Sequence, residues 1–143
     1  MKFKMRVLYL SKVGNAEQMA LAISKRAVTT CDKMPPAYPC VGEKLLFIGI
    51  EESGSKAGEN AVNFCNDLTT DRTKNVAFYA TSSSDKYSGI EQLRGIVESK
   101  GIKVHENIFK CKVGSGLFRQ GKVKDADLAA VSDWAQKIID SLG

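Results

Sequence analysis

The hydrophobic and polar positions of this chain switch repeatedly between short apolar runs and segments of helical period, a pattern that predicts strand-then-helix units. Met5–Leu10 is a largely apolar run that reads as a buried strand. A turn over 11–15 follows, and across 16–26 the residues Ala16, Met19, Ala20 and Ile23 recur at helical spacing. Residues 27–42 contain Pro35, Pro36 and Pro39, which forbid a helix and leave room for a short edge strand around 29–33. Residues 44–50 form a second buried strand, followed by a loop over 51–58 and a helix near 59–68 that puts Ala61, Phe64, Cys65 and Leu68 on one face.

The next strand is 75–81, then a hydroxyl-rich loop over 82–88. Ile90, Leu93, Ile96 and Val97 set out a helix that Gly101 stops just beyond its end. Residues 102–112 read as the last strand, with His105 in its middle as a structural residue. A glycine-spaced loop over 113–123 leads to a final helix begun by Asp125 or Asp127 and packed through Leu128, Val131, Trp134, Ile138 and Leu142. Alternation of this kind predicts a three-layer, doubly wound α/β fold, with a five-stranded parallel sheet, helices on both faces and a ligand crevice at the strands' carboxyl ends. Met19 and Trp134 fall on apolar stripes and are expected in the core.

With 143 residues, 43% of them hydrophobic and 26% charged, the chain suits a single globular domain spanning 1–143. Its longest apolar runs, such as 45–50, are too short to span a bilayer, and 7–10 is too short for a secretory signal, so the chain reads as cytoplasmic. Cys31, Cys40, Cys65 and Cys111 show no CxxC spacing, and the one histidine cannot complete a usual zinc set; reduced structural thiols are expected. A net charge of +5 attracts anionic ligands or acidic partners, but no run of like charges marks a nucleic-acid arm. The exception to the scatter is a loose cluster of Lys110, Lys112, Arg119, Lys122 and Lys124.

The first strand-to-helix turn carries the clearest candidate chemistry. Over Ser11, Lys12, Val13, Gly14, Asn15 and Ala16, exposed backbone N–H groups and the helix dipole favour a phosphate. Gly14 permits close approach of the backbone, Ser11 and Asn15 offer side-chain hydrogen bonds, and Lys12 adds charge. A tight turn and helix cap would use the same residues. A receiver-type magnesium site is excluded, because Ser11-Lys12 supplies no acidic pair after the first strand.

Ser11-x-x-Gly14-Asn15, at the end of an N-terminal strand and before a helix containing Glu17, Met19, Ala22 and Ile23, resembles the phosphate loop T/S-x-T-G-N-T of the flavodoxin family. The similarity extends through 45–50, 76–81, the helix ending Ser99-Lys100-Gly101 and the tail from Cys111 to Trp134. The uninterrupted last strand makes it a resemblance to the short-chain type. It implies strand order 2-1-3-4-5, bound flavin mononucleotide (FMN), and electron transfer between a reductase and an acceptor enzyme, with no catalytic acid or base of the protein's own.

Val13 and Ala16 depart from the family pattern, standing where it usually places threonines that bind the phosphate. The resemblance also implies that the flavin ring lies between the loops 51–58 and 82–87. Glu51, Glu52, Ser53 and Gly54 on the first, and Thr81, Ser82, Ser83, Ser84 and Tyr87 at the second, would then contact the cofactor. The first loop has no aromatic residue; Tyr87 on the second is placed to stack on the ring. The basic cluster departs from the usual acidity of flavodoxins, and would steer a redox partner with an acidic surface. Loss of FMN would instead leave a binding or regulatory module on the same fold, recognising an acidic partner.

Overall fold

The apolar runs assemble into one parallel sheet with a pair of helices on each face. The computed structural model describes residues 3–116 and 119–143. In chain order the elements are β1 (Met5–Leu10), α1 (Asn15–Ala27), β2 (Cys31–Lys33), β3 (Glu43–Glu51), α2 (Glu59–Asn66), β4 (Thr73–Ser82), α3 (Ser88–Ser99), β5 (Lys103–Val104), β6 (Phe109–Lys112), β7 (Ser115–Gly116), β8 (Arg119–Gln120) and α4 (Asp125–Leu142). The main sheet runs β2-β1-β3-β4-β5 with every pairing parallel, and β6 also lies along β4. The expected order 2-1-3-4-5 therefore holds, with a fifth strand made of two pieces.

Both faces of β3 and β4 are covered, which is why their sequences are continuously apolar rather than alternating. Leu46, Ile48 and Ile50 of β3 pack with Phe78 and Ala80 of β4 against Ala61 and Cys65 of α2 and Leu93 and Val97 of α3. On the other face Leu45 and Phe47 join Ala77 and Tyr79 against Met19 and Ile23 of α1 and Val131 and Trp134 of α4. Each of the larger side chains among them, Val, Leu, Ile, Met or Phe, is worth about 1.5–3 kcal/mol on full burial. Met19 is fully buried and Trp134 nearly so, as their helical stripes predict.

Two sequence expectations need correction. The last strand is broken at residues 105–108, so His105 lies in the break and not within a strand. Its N–H still bonds the Val76 carbonyl at 2.8 Å, but its ring Nδ1 accepts the Asn107 N–H at 3.1 Å, and the Asn107 carbonyl accepts the Trp134 indole N–H at 2.9 Å. These local bonds compete with the ladder and turn the chain away from β4 before β6 rejoins it. The second correction concerns 113–123: what reads as a loop contains an antiparallel hairpin, β7 with β8. Strands of two residues are too short to show a period. Residues 117–118 of that segment lie outside the described residues.

Candidate functional site

Because β1 and β3 are parallel neighbours, their carboxyl ends lie side by side and bring the turn 11–14 against the start of the loop 51–58. Side chains on a strand alternate between faces, so at the end of β3 the consecutive glutamates diverge. Glu51 falls on the face of Leu45 and Phe47, toward α1, while Glu52 falls on the face of Ile50, toward α3. Each carboxylate ends at a helix N-terminus, where unpaired N–H groups and the helix dipole favour negative charge.

Glu51 occupies the turn that the sequence marks as a phosphate loop. Its Oε1 accepts the N–H groups of Lys12 at 2.8 Å and Val13 at 3.0 Å; its Oε2 accepts the Ser11 hydroxyl at 2.5 Å and the Ala16 N–H at 3.0 Å. The Ser11 oxygen in turn accepts the N–H groups of Gly14 and Glu17. Gly14, with φ +96°, makes the left-handed step that turns these amides inward. Burial alone would push the Glu51 carboxyl up, but the bonds from Ser11, Val13, Lys12 and Ala16 outweigh it and hold the group below its ordinary value of 4.5.

A carboxyl depressed on folding contributes stability that is fully present above its unfolded value and is lost as the pH falls through its folded value. Acidification below about pH 4.5 should therefore weaken the wild-type protein more than a Glu51→Gln variant. Urea midpoints of both proteins at pH 6 and pH 3 test this; equal losses would contradict it.

Glu52 is buried and accepts the N–H groups of Gly89 at 2.8 Å and Ile90 at 2.7 Å, capping α3. Its carboxylate is committed to capping α3, while the residue also lines the crevice at this end of the sheet. Thr81 is also buried, its hydroxyl bonded to the Gln120 carboxamide at 2.7 Å. Ser82 and Ser84 bond within their own loop, to the Lys86 carbonyl and the Lys86 N–H respectively. Between the two loops lies a crevice of about 790 Å³ lined by Leu10, Lys12, Val13, Ile50, Glu51, Glu52, Ser53, Gly54, Lys56, Ala57, Gly58, Ser83, Ser115 and Gln120. A smaller hollow continues from it along Ser82, Ser83 and Ser84.

Tyr87 does not line either hollow; it packs against the core cluster of the α2 and α3 face, with the Lys110 ammonium 5.4 Å from its ring centroid. The ring is half-buried between that ammonium and the core, outside the lining of the two hollows. Asn15, too, points away from the cradle, donating to Gln120 Oε1 and to the Gly121 carbonyl at 2.7 Å and accepting the Val123 N–H at 3.0 Å.

Gln120 is the residue that sequence reasoning missed. Its side chain joins Asn15 after β1, Glu52 after β3 and Thr81 at the end of β4. A glutamine in a glycine-spaced segment carries no periodic signal that would single it out.

The basic cluster serves several local ends. Lys112 pairs with Asp85 at 3.5 Å, Lys122 donates to the Val13 carbonyl at the cradle's rim, and the Lys124 backbone N–H donates to Asp127 at the start of α4. The Arg119 side chain lies outside what is described. Cys111 is buried, and burial together with nearby Asp127 pushes its thiol up to about 11; burial does the same at Cys40, to about 11, and at Cys65, to about 12. Alkylation by iodoacetamide at pH 8 should therefore leave these three thiols largely unmodified over a time in which the less buried Cys31 reacts. Mass mapping that finds Cys111 modified first would contradict this ordering. Among the described residues no group of three or more His, Cys, Asp or Glu is placed to hold a metal ion, and no helix is long and apolar enough to cross a membrane.

No protein-family model and no curated protein sequence matches this chain. Solved structures do match over nearly its whole length. A flavodoxin from the domain Archaea superposes with a TM-score of 0.72 at 17% identity, covering 97% of this chain and 98% of that one. A flavodoxin of Streptococcus pneumoniae gives 0.75 at 10% identity, covering 96% and 98%. Rubredoxin:oxygen oxidoreductase of Desulfovibrio gigas gives 0.71 at 13% identity, where 97% of this chain matches 36% of that larger protein. The fold is flavodoxin-like.

Proposed function

We propose that this chain is a cytoplasmic, single-domain electron carrier that binds FMN non-covalently and passes electrons between a reductase and an acceptor enzyme. The observation that supports it most is the cradle at the start of α1, whose hydroxyl and three backbone N–H groups converge on an anion, with the Glu51 carboxylate standing in that position. That donor set suits a terminal phosphate. Ser11, Lys12, Val13 and Ala16 would hold it, and Ser53, Gly54 and Ser83 line the adjoining crevice where the ring would lie. Bound flavin would supply the electron chemistry, and the protein's part is to orient it and set its potential through neighbouring backbone amides and charge. Lys122, at the cradle's rim, would add to the field that attracts an acidic redox partner.

The test is a titration of the purified protein with FMN, following flavin fluorescence and the visible spectrum. Saturable quenching at one equivalent, weakened by Gly14→Val, supports the reading. At Gly14 a Cβ meets nothing within 4 Å, so that variant acts through the positive φ of the turn. Absence of binding at tens of micromolar, too weak for a retained cofactor, overturns it.

The position of Glu51 and the lack of aromatic residues in 51–58 favour a second reading, a flavin-free module that binds an acidic protein. Binding of such a partner would weaken with added salt, whereas flavin binding in the crevice would depend on salt far less.

A further inference from the structure

The cradle's donors are all spent on the protein's own carboxylate. Each Glu51 oxygen takes two of the four, and both are held at hydrogen-bond distance. A phosphate entering the same donors would find none of them free and would meet a like charge. The group is kept ionised by those very bonds, which hold its carboxyl below the ordinary value despite burial.

Glu51 also lines the crevice, as do Lys12 and Lys56, so a carboxylate leaving the cradle has space in a crevice whose lining includes two lysines. Glu52, by contrast, caps α3 and is not free to move in the same way.

We propose that Glu51 is a built-in competitor for the phosphate: it closes the cradle as an internal anion, and a phosphate-bearing ligand binds only by displacing it. This rests on the reading that the crevice takes a flavin, and it gives that site an unusual selectivity. FMN, whose phosphate must evict Glu51, gains little over riboflavin, which has no phosphate.

The experiment uses the full chain as wild type, Glu51→Ser and Glu51→Gln. Backbone amide NMR follows Lys12, Val13 and Ala16 during addition of inorganic phosphate, and fluorescence titrations give the dissociation constants of FMN and riboflavin for each protein. Removing the carboxylate should let phosphate shift those three amides in the variants and not in the wild type. It should also tighten FMN by about tenfold or more while riboflavin changes by less than about twofold. If Glu51→Ser fails to fold, Glu51→Gln, which keeps the side-chain length without the charge, gives the same readout. Wild-type amides that respond to phosphate as strongly as those of the variants would overturn the proposal. So would an FMN-to-riboflavin ratio that is the same in all three proteins. If only the variants respond to phosphate and no protein binds either flavin, the internal competitor stands and the flavin reading falls.

Discussion

Replacing Gly49 by alanine is expected to cost about 3–5 kcal/mol, a large share of the stability of an ordinary domain. Gly49 sits at the middle of β3 in register with Tyr79 of β4, and the Tyr79 ring lies across it to donate its hydroxyl to the Leu8 carbonyl on β1 at 2.9 Å. A Cβ at position 49 would fall 2.0 Å from ring atom Cε2 and 2.1 Å from Cζ. The ring has no route of escape, being fully buried and edge-on to Trp134 with centroids 6.4 Å apart. Relief therefore requires either displacement of two strands or loss of a buried hydrogen bond together with repacking of α4.

Urea unfolding of Gly49→Ala measures the cost. A double-mutant cycle with Tyr79→Ala identifies the cause, since without the ring the glycine substitution should cost less than about 1 kcal/mol. A loss at Gly49 that is unchanged in the Tyr79→Ala background would show that the ring is not the obstacle.

Gln120→Ala should destabilise by about 2–4 kcal/mol and loosen the candidate site in particular. The buried carboxamide makes four hydrogen bonds. Its oxygen accepts from Asn15 Nδ2 at 3.2 Å and the Thr81 hydroxyl at 2.7 Å, and its nitrogen donates to the carbonyls of Glu52 at 2.8 Å and Thr81 at 3.0 Å. Truncation leaves buried polar groups of three strand ends facing a gap. Charge is no substitute: in Gln120→Glu the amide that faced two carbonyls becomes an oxygen, and a buried anion meets acceptors, so this variant should be worse than alanine.

Because Asn15 also holds the Gly121 carbonyl and the Val123 N–H, hydrogen exchange at Gly121 and Val123 should speed up in Gln120→Ala. Exchange unchanged there, with normal urea stability, would mean that the carboxamide is not tying the segment down.

The sequence by itself determined the layers. Continuous apolar runs at 45–50 and 76–80 suit strands buried on both faces, and helical stripes such as Met19 with Ile23 or Val131 with Trp134 pack against them. Those demands are local and periodic, so composition and spacing carry them, and the resulting topology places the crevice at the carboxyl ends of β1, β3 and β4. The turn from Ser11 to Ala16 was legible as an anion cradle for the same reason: a hydroxyl, a glycine and a helix start are contiguous there.

Which anion fills that cradle was decided by the tertiary structure. Glu51 lies 40 residues beyond Ser11 and reaches it because β3 pairs with β1 and because strand alternation sends 51 and 52 to opposite faces. The role of Gln120, the covering of Tyr87 by Lys110 and the break at His105 likewise come from contacts between distant segments or from local bonds that outcompete a ladder. Such contacts leave no period in the chain. They depend on how strand ends are brought together in space, and only the folded sheet fixes that.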